Sequence, residues 1–257
     1  MSNQEDFVKT ILEVKNLSKS FEDTLVLNNI DFKVDEGEFI AIMGQSGSGK
    51  STLLYNISGM DRPTSGTIIF GSNDISKLND EEISDIRLKK MGFIFQHSYL
   101  LKNLSIRDNI ILPGFRANIL PREQVNQNAD NLMEKTGISH VANHDIKKVS
   151  GGQLQRAAIC RALINQPDIL FGDEPTGALN SGTTKEIMDI INNINQGGTT
   201  VIIVTHDAKV AIRASRVIYL MDGSINSELT LGQYEKDEKS IISREKILSQ
   251  WLEKQGF

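Results

Sequence analysis

The sequence predicts an α/β fold built around a phosphate-binding loop, on three observations. Residues 39–43 (FIAIM) form an uninterrupted apolar run of the kind a fully buried strand requires. Directly after it, Gly44, Gln45, Ser46, Gly47, Ser48, Gly49, Lys50 and Ser51 fit the pattern G-x-x-x-x-G-K-[ST] and lead through Thr52 into a helix-forming stretch that ends near residue 57. Further short apolar runs at 169–171, 201–204 and 217–221, the last in a strand from 216, lie among stretches of helical pattern. At ordinary residue frequencies the four fixed positions of the motif arise by chance in about one chain of this length in a hundred. The strand before it and the helix after it make coincidence rarer still. In that setting glycines let the backbone close on phosphate, and the unpaired N–H groups of the helix start point at the anion. The chain is therefore expected to bind a nucleoside triphosphate, with Lys50 reaching the β- and γ-phosphates and the Ser51 hydroxyl ligating Mg²⁺.

Along the chain, residues 11–14 and 30–34 alternate apolar with polar positions, as half-buried strands do. Residues 35–38 make a turn before the phosphate-loop strand, and 63–66 (PTSG) another before a strand over 67–70. Residues 80–87 carry apolar positions three apart, which predicts a helix, and 91–95 (MGFIF) is a short buried strand ending at Gln96. From 98 to about 165 the pattern is largely helical, with Pro121 marking a helix start and Gly137 a stop. Asp222-Gly223 predicts a tight turn between the strand at 216–221 and one beginning at 224. From Tyr234 onward, helical spacing puts Ile247, Leu248, Trp251 and Leu252 on one face. That face is expected to pack on the parent domain, with a partner or a membrane surface as alternatives; mixed charges argue against the membrane.

With 257 residues the chain can bury a sizeable core as one large domain or two lobes. A hydrophobic content of 39% and a charged content of 24% are ordinary for a soluble globular protein. The net charge of −5 argues against nonspecific nucleic-acid binding, so no nucleic-acid partner is expected. The apolar runs fall well short of the ~20 residues of a membrane helix, and residues 1–6 are polar and acidic, without a signal-peptide core. A single cysteine, Cys160, excludes an intrachain disulfide and fits a reducing cytoplasm. It is expected to act as a small core hydrophobe, not a nucleophile.

Four more features follow the phosphate loop in order: Gln96 at a strand end, Ser150-Gly151-Gly152-Gln153 before a helix, Asp173-Glu174 after an apolar strand, and His206 after another. This series resembles the ATP-binding subunit of an ATP-binding-cassette (ABC) transporter, over about residues 10–228. The resemblance implies an α/β P-loop cassette with a mixed-sheet core, an antiparallel β-lobe and a helical lobe inserted over about 97–165, between a flexible leader (1–9) and a C-terminal helical tail (229–257). It implies that Asp173 partners Mg²⁺, that Glu174 is the general base toward water, that Gln96 contacts Mg²⁺ or that water, and that His206 holds the γ-phosphate. Phe21 lies where the family places an aromatic that stacks on adenine. Ser150, Gly151, Gly152 and Gln153 would cap the ATP of a second copy, giving a homodimer with two ATP molecules sandwiched between subunits. With no membrane span of its own, such a subunit would dock on a separate integral-membrane permease at the cytoplasmic side of the membrane. Departures from the family pattern are Gly172 for a larger residue, Val149 for leucine or isoleucine, and Asn180 for aspartate in the D-loop.

Rival classes share parts of this pattern. Residues 165–168 (NQPD) mimic the guanine-reading N-x-x-D of GTPases but precede the Asp-Glu strand and lack lysine. Chromosome and repair cassettes insert long domains where the Lys50–Ser150 interval leaves room for one small helical lobe, and translation cassettes come in pairs. A non-transporting cassette, such as a cell-division regulator, would look nearly identical. Residues 93–96, 108–113 and 173–179 are similar to the macrolide-export and lipoprotein-release cassettes, and among these most to the ATPases of bacitracin-type antimicrobial-peptide resistance transporters.

Overall fold

Five adjacent parallel strands set the architecture. In the computed structural model, which describes residues 9–256, a six-stranded sheet runs in the order β10-β9-β3-β8-β7-β6. Its strands are β3 (Phe39–Met43), β6 (Met91–Phe95), β7 (Ile169–Asp173), β8 (Thr200–Val204), β9 (Arg216–Met221) and β10 (Ser224–Thr230). All pairings are parallel except that of β9 with β10, so the sheet is mixed as expected. A second, antiparallel sheet, ordered β2-β1-β4-β5, contains β1 (Thr10–Phe21), β2 (Thr24–Asp35), β4 (Ser65–Phe70) and β5 (Asn73–Asp74). The leader expected over 1–9 lies, apart from Lys9, outside the described residues.

Every residue of β3 is buried, and the reason is its two covered faces. Ile40 and Ile42 enter a core shared with the antiparallel sheet and with α1 (Lys50–Ile57), through Leu12, Leu27, Leu53 and Ile57. Phe39, Ala41 and Met43 enter a second core on the opposite face, against α6 (Ser181–Gln196), α7 (Ala208–Ala211) and α8 (Glu238–Lys254). The period of two along a strand thus divides one apolar run between two cores. A third core, around Ile106, Ile110, Val125, Met133 and Cys160, belongs to the helical lobe. That lobe is built from α3 (Ile106–Ala117), α4 (Arg122–Lys135) and α5 (Gly151–Leu163), while α2 (Asp80–Lys90) leads into β6.

Several boundaries match their local signals. Pro121 stands at the N-cap of α4, and Gly137, at φ 73°, follows its end. Asp222 and Gly223 both take positive φ, 47° and 76°, the two-residue turn that the right-handed twist of β9 and β10 favours. Other spans differ. The first two strands are twelve residues each, because a turn at Glu22-Asp23 joins them as one long hairpin. The stretch 98–165 is less helical than its pattern predicts: 98–105 and most of 136–150 are irregular, with only two 3₁₀ turns in the second segment. On α8 the buried stripe is Arg244, Leu248 and Leu252, at i, i+4 and i+8, with Trp251 packed edge-on against Tyr219. Ile247 lies off that stripe and is 44% exposed, which corrects the expected apolar face.

Candidate active site at the carboxyl ends of the parallel strands

Register explains why residues far apart in sequence meet. Phe95 pairs with Asp173, Asp173 with Val204, and Ile42 with Val204. The next residues along these parallel strands therefore emerge on one edge: Gln96 after β6, Glu174 after β7, Thr205 and His206 after β8, and Gly44 soon after Ile42. That edge, at the carboxyl ends of parallel strands, is where open α/β sheets bind ligands.

The phosphate loop closes onto α1 through Gly49, whose φ of 97° at the N-cap is strained for any residue with a Cβ. A Cβ there would also lie 2.9 Å from Leu27 and 3.0 Å from the Val26 carbonyl. Lys50 is buried and donates to the Gln45 carbonyl at 2.6 Å, so its ammonium is held under the loop. Burial pushes this ammonium below the ordinary lysine value, against the opposing pull of Glu174 and Asp173. Gly47, Gly49, Lys50, Ser51 and Thr52 line a cleft of about 570 Å³ with Ser46, Val26, Glu174 and His206. Its volume suits a nucleotide's phosphate tail.

Asp173 is engaged at both oxygens. The Ser51 hydroxyl donates to Oδ1 at 2.9 Å and the Tyr55 hydroxyl to Oδ2 at 2.6 Å. Glu174 has φ 45°, a left-handed conformation that costs a non-glycine residue about 1–3 kcal/mol. Its backbone is pinned there: its N–H donates to the Val204 carbonyl, and its carbonyl accepts from the Gly177 N–H, both at 3.0 Å. The Glu174 carboxylate meets His206 Nδ1 at 2.8 Å. A Cβ on Gly177 would lie 3.0 Å from the Gln96 amide nitrogen and 3.1 Å from Glu174 Oε2, so both side chains crowd the same small residue. Hydroxyl, carboxylate and amide oxygens are the hard donors that Mg²⁺ takes together with substrate phosphates. Among the described residues no cluster of three or more His, Cys, Asp or Glu forms an alternative metal site.

Asp173 and Gln96 adjoin residues of the cleft without lining it themselves, through Ser51 and beside Glu174, and two further groups of expected site residues also lie outside its lining. Ser150, Gly151, Gly152 and Gln153 begin α5 and do not line it. There Ser150 and Gln153 form a reciprocal capping box: the Ser150 hydroxyl accepts from the Gln153 N–H at 3.3 Å, and Gln153 Oε1 accepts from the Ser150 N–H at 2.8 Å. Ser150 remains exposed, with its own O–H free to donate outward. Phe21, 49% exposed at the tip of the first hairpin, has the Lys19 ammonium 4.6 Å from its ring centroid. Gln155 is a tie that the sequence pattern does not reveal. It is buried and donates to both the Phe95 and Pro175 carbonyls, at 2.9 and 2.7 Å, tying the signature helix to the ends of β6 and β7. Its position in the motif gives no signal, since an inward-facing glutamine breaks the apolar pattern of a buried helix face.

A phosphate loop, an Asp-Glu pair and a histidine on one sheet edge define a P-loop nucleoside triphosphatase. A family model described as ABC transporter matches residues 27–177, and the chain belongs to that family. It is 40% identical over 236 residues to the lipoprotein-releasing system ATP-binding protein LolD of Leptospira interrogans, covering 91% of this chain and 98% of that protein. It is 39% identical over 248 residues to the macrolide export ATP-binding/permease protein MacB of Campylobacter jejuni, covering 95% of this chain but 38% of that longer protein. Among solved structures, the dimeric post-hydrolysis state of the ATP-binding cassette MJ0796 bound to ADP and Pi superposes with a TM-score of 0.80 at 37% identity, covering 87% of this chain and all of that one. The chain is an ABC-type ATPase of the macrolide-export and lipoprotein-release kind, and the expected fold stands.

Proposed function

We propose that this ATPase drives a separate integral-membrane permease by ATP-driven closure of a homodimer at the cytoplasmic face of the membrane. The observation that supports the reading is that Ser150–Gln153 do not line the cleft formed by Lys50, Ser51, Glu174 and His206. A signature placed on an exposed helix start, away from its own cleft, suits an ATP held by a second copy. Absence of a membrane span fits a separate permease: among the described residues no helix is long and apolar enough to cross a bilayer.

In this reading Phe21 stacks on adenine, and residues 44–52 wrap the phosphates with Lys50 on the β- and γ-oxygens. Ser51, Asp173 and Gln96 would hold Mg²⁺, which neutralises charge on the phosphates. Glu174 Oε accepts a proton from water as the water oxygen attacks the γ-phosphorus; the bond to the β-phosphate oxygen breaks, and ADP and phosphate leave. His206, beside Glu174, faces the γ-phosphate, while Ser150 and the α5 N-terminus from the opposite chain complete the anion's shell. The segment after Gln96 passes closure and reopening to the permease. The segment beyond β10 that carries α8 serves as a tail that braces the cassette, since the expected start at 229 falls within β10.

For the cargo, the motif resemblance at 93–96, 108–113 and 173–179 supports antimicrobial-peptide export or resistance. The near full-length match to LolD favours a second reading, lipoprotein release. Purifying the full chain from membranes of its source organism tests both. A permease with a large extracytoplasmic domain supports the peptide reading, and a lipoprotein-releasing permease supports the second. A cell-division partner, or no membrane protein at all, would overturn the transport assignment.

A further inference from the structure

Ser51 and Tyr55 are one helical turn apart on α1, so their side chains rise from the same face toward the end of β7. Between them they occupy both oxygens of one carboxylate: Ser51 takes Asp173 Oδ1 and Tyr55 takes Oδ2. Two bonds from a single rigid helix fix the plane of a group that would otherwise rotate about its last torsion. Tyr55 is itself held. Its carbonyl accepts from the Met60 and Asp61 N–H groups at 2.8 and 3.0 Å, and its ring lies partly buried.

We propose that Tyr55 is a positioning residue for cation binding, holding Asp173 Oδ2 so that Oδ1 faces the Ser51 hydroxyl and the incoming Mg²⁺. A carboxylate lacking this tether would sample orientations in which neither oxygen meets the cation, and partners of this kind typically change metal affinity about 10–100-fold when removed. The inference rests on the reading of Asp173 and Ser51 as the protein's partners for Mg²⁺.

Tyr55→Phe removes only the hydroxyl oxygen and keeps the ring. The full chain, wild type and variant, is titrated with a non-hydrolysable ATP analogue, first in EDTA and then at fixed analogue with increasing Mg²⁺. The expected result is an unchanged analogue affinity in EDTA, with the Mg²⁺ half-saturation raised about tenfold or more. A lowered melting temperature with unchanged Mg²⁺ half-saturation would reduce Tyr55 to a packing residue and overturn the proposal. Asp173→Asn, run in parallel, separates the two levels. If Asp173→Asn weakens Mg²⁺ binding and Tyr55→Phe does not, only the role of Tyr55 falls. If neither does, the assignment of Asp173 falls with it.

Discussion

At the scale of single residues, two departures from the family pattern have a local physical reason. A Cβ at Gly172 would lie 3.1 Å from the Ile203 side chain and 3.3 Å from the Pro175 ring, so a larger residue would require one of them to give by a few tenths of an ångström. Asn180 caps α6, accepting from the Thr183 N–H at 3.0 Å, and an amide oxygen does this as well as a carboxylate. Tyr55 is not legible in the sequence, because helical spacing puts it on the face of Ser51 but cannot say that Asp173 stands opposite; that needs the strand order. Cys160 is legible as a core residue. It is fully buried beside the Thr136 hydroxyl, and burial pushes its thiol from 9.0 up to about 12, with Thr136 pulling weakly the other way. The folded thiol keeps its proton where the unfolded one has lost it, so its contribution to stability is present below pH 9.0 and is lost as pH rises toward 12. Iodoacetamide at about pH 8.5, near the ordinary thiol value, is therefore expected to leave the native protein unmodified and to label it fully in urea; rapid labelling without denaturant would contradict the burial.

At the scale of elements, short fully apolar strands and the turns beside them are readable because each carries its own signal: period, proline, glycine. The length of the first hairpin is not, since its solvent-facing alternation hides where pairing ends. Counting apolar residues alone misplaces the face of α8. Its anchor is Arg244, which donates to the carbonyls of Ile212 and Leu231 at 2.6 and 2.9 Å and to those of Ala214, Gly232 and Gln233. These carbonyls lie just beyond the ends of α7 and β10, where the chain has left regular pairing. Arg244→Met keeps the apolar stem and removes the donors. It is expected to lower stability by about 3 kcal/mol, the cost of leaving buried carbonyls unpaired, measured as a fall in the urea midpoint with ATP affinity retained. An unchanged midpoint would mean that α8 is held by Leu248 and Leu252 alone.

At the scale of the whole molecule, parallel register gathers the ends of β3, β6, β7 and β8 on one edge, and Gln155 ties the helical lobe to two of them. Movement of the signature helix is thereby linked to Gln96 and to the turn carrying Glu174. The order of the motifs makes this edge readable from the sequence alone, whereas the internal tie through Gln155 emerges only from packing. The central claim is that the cleft is finished by a second copy. Its most direct test is the mass of Glu174→Gln in solution with saturating ATP and Mg²⁺, measured by light scattering. On the role proposed for Glu174, this change should slow hydrolysis about 10²–10⁴-fold and trap the closed pair, so a species of twice the monomer mass is expected, dispersing when Ser150→Ala is added. Monomers alone at saturating ATP would contradict the account.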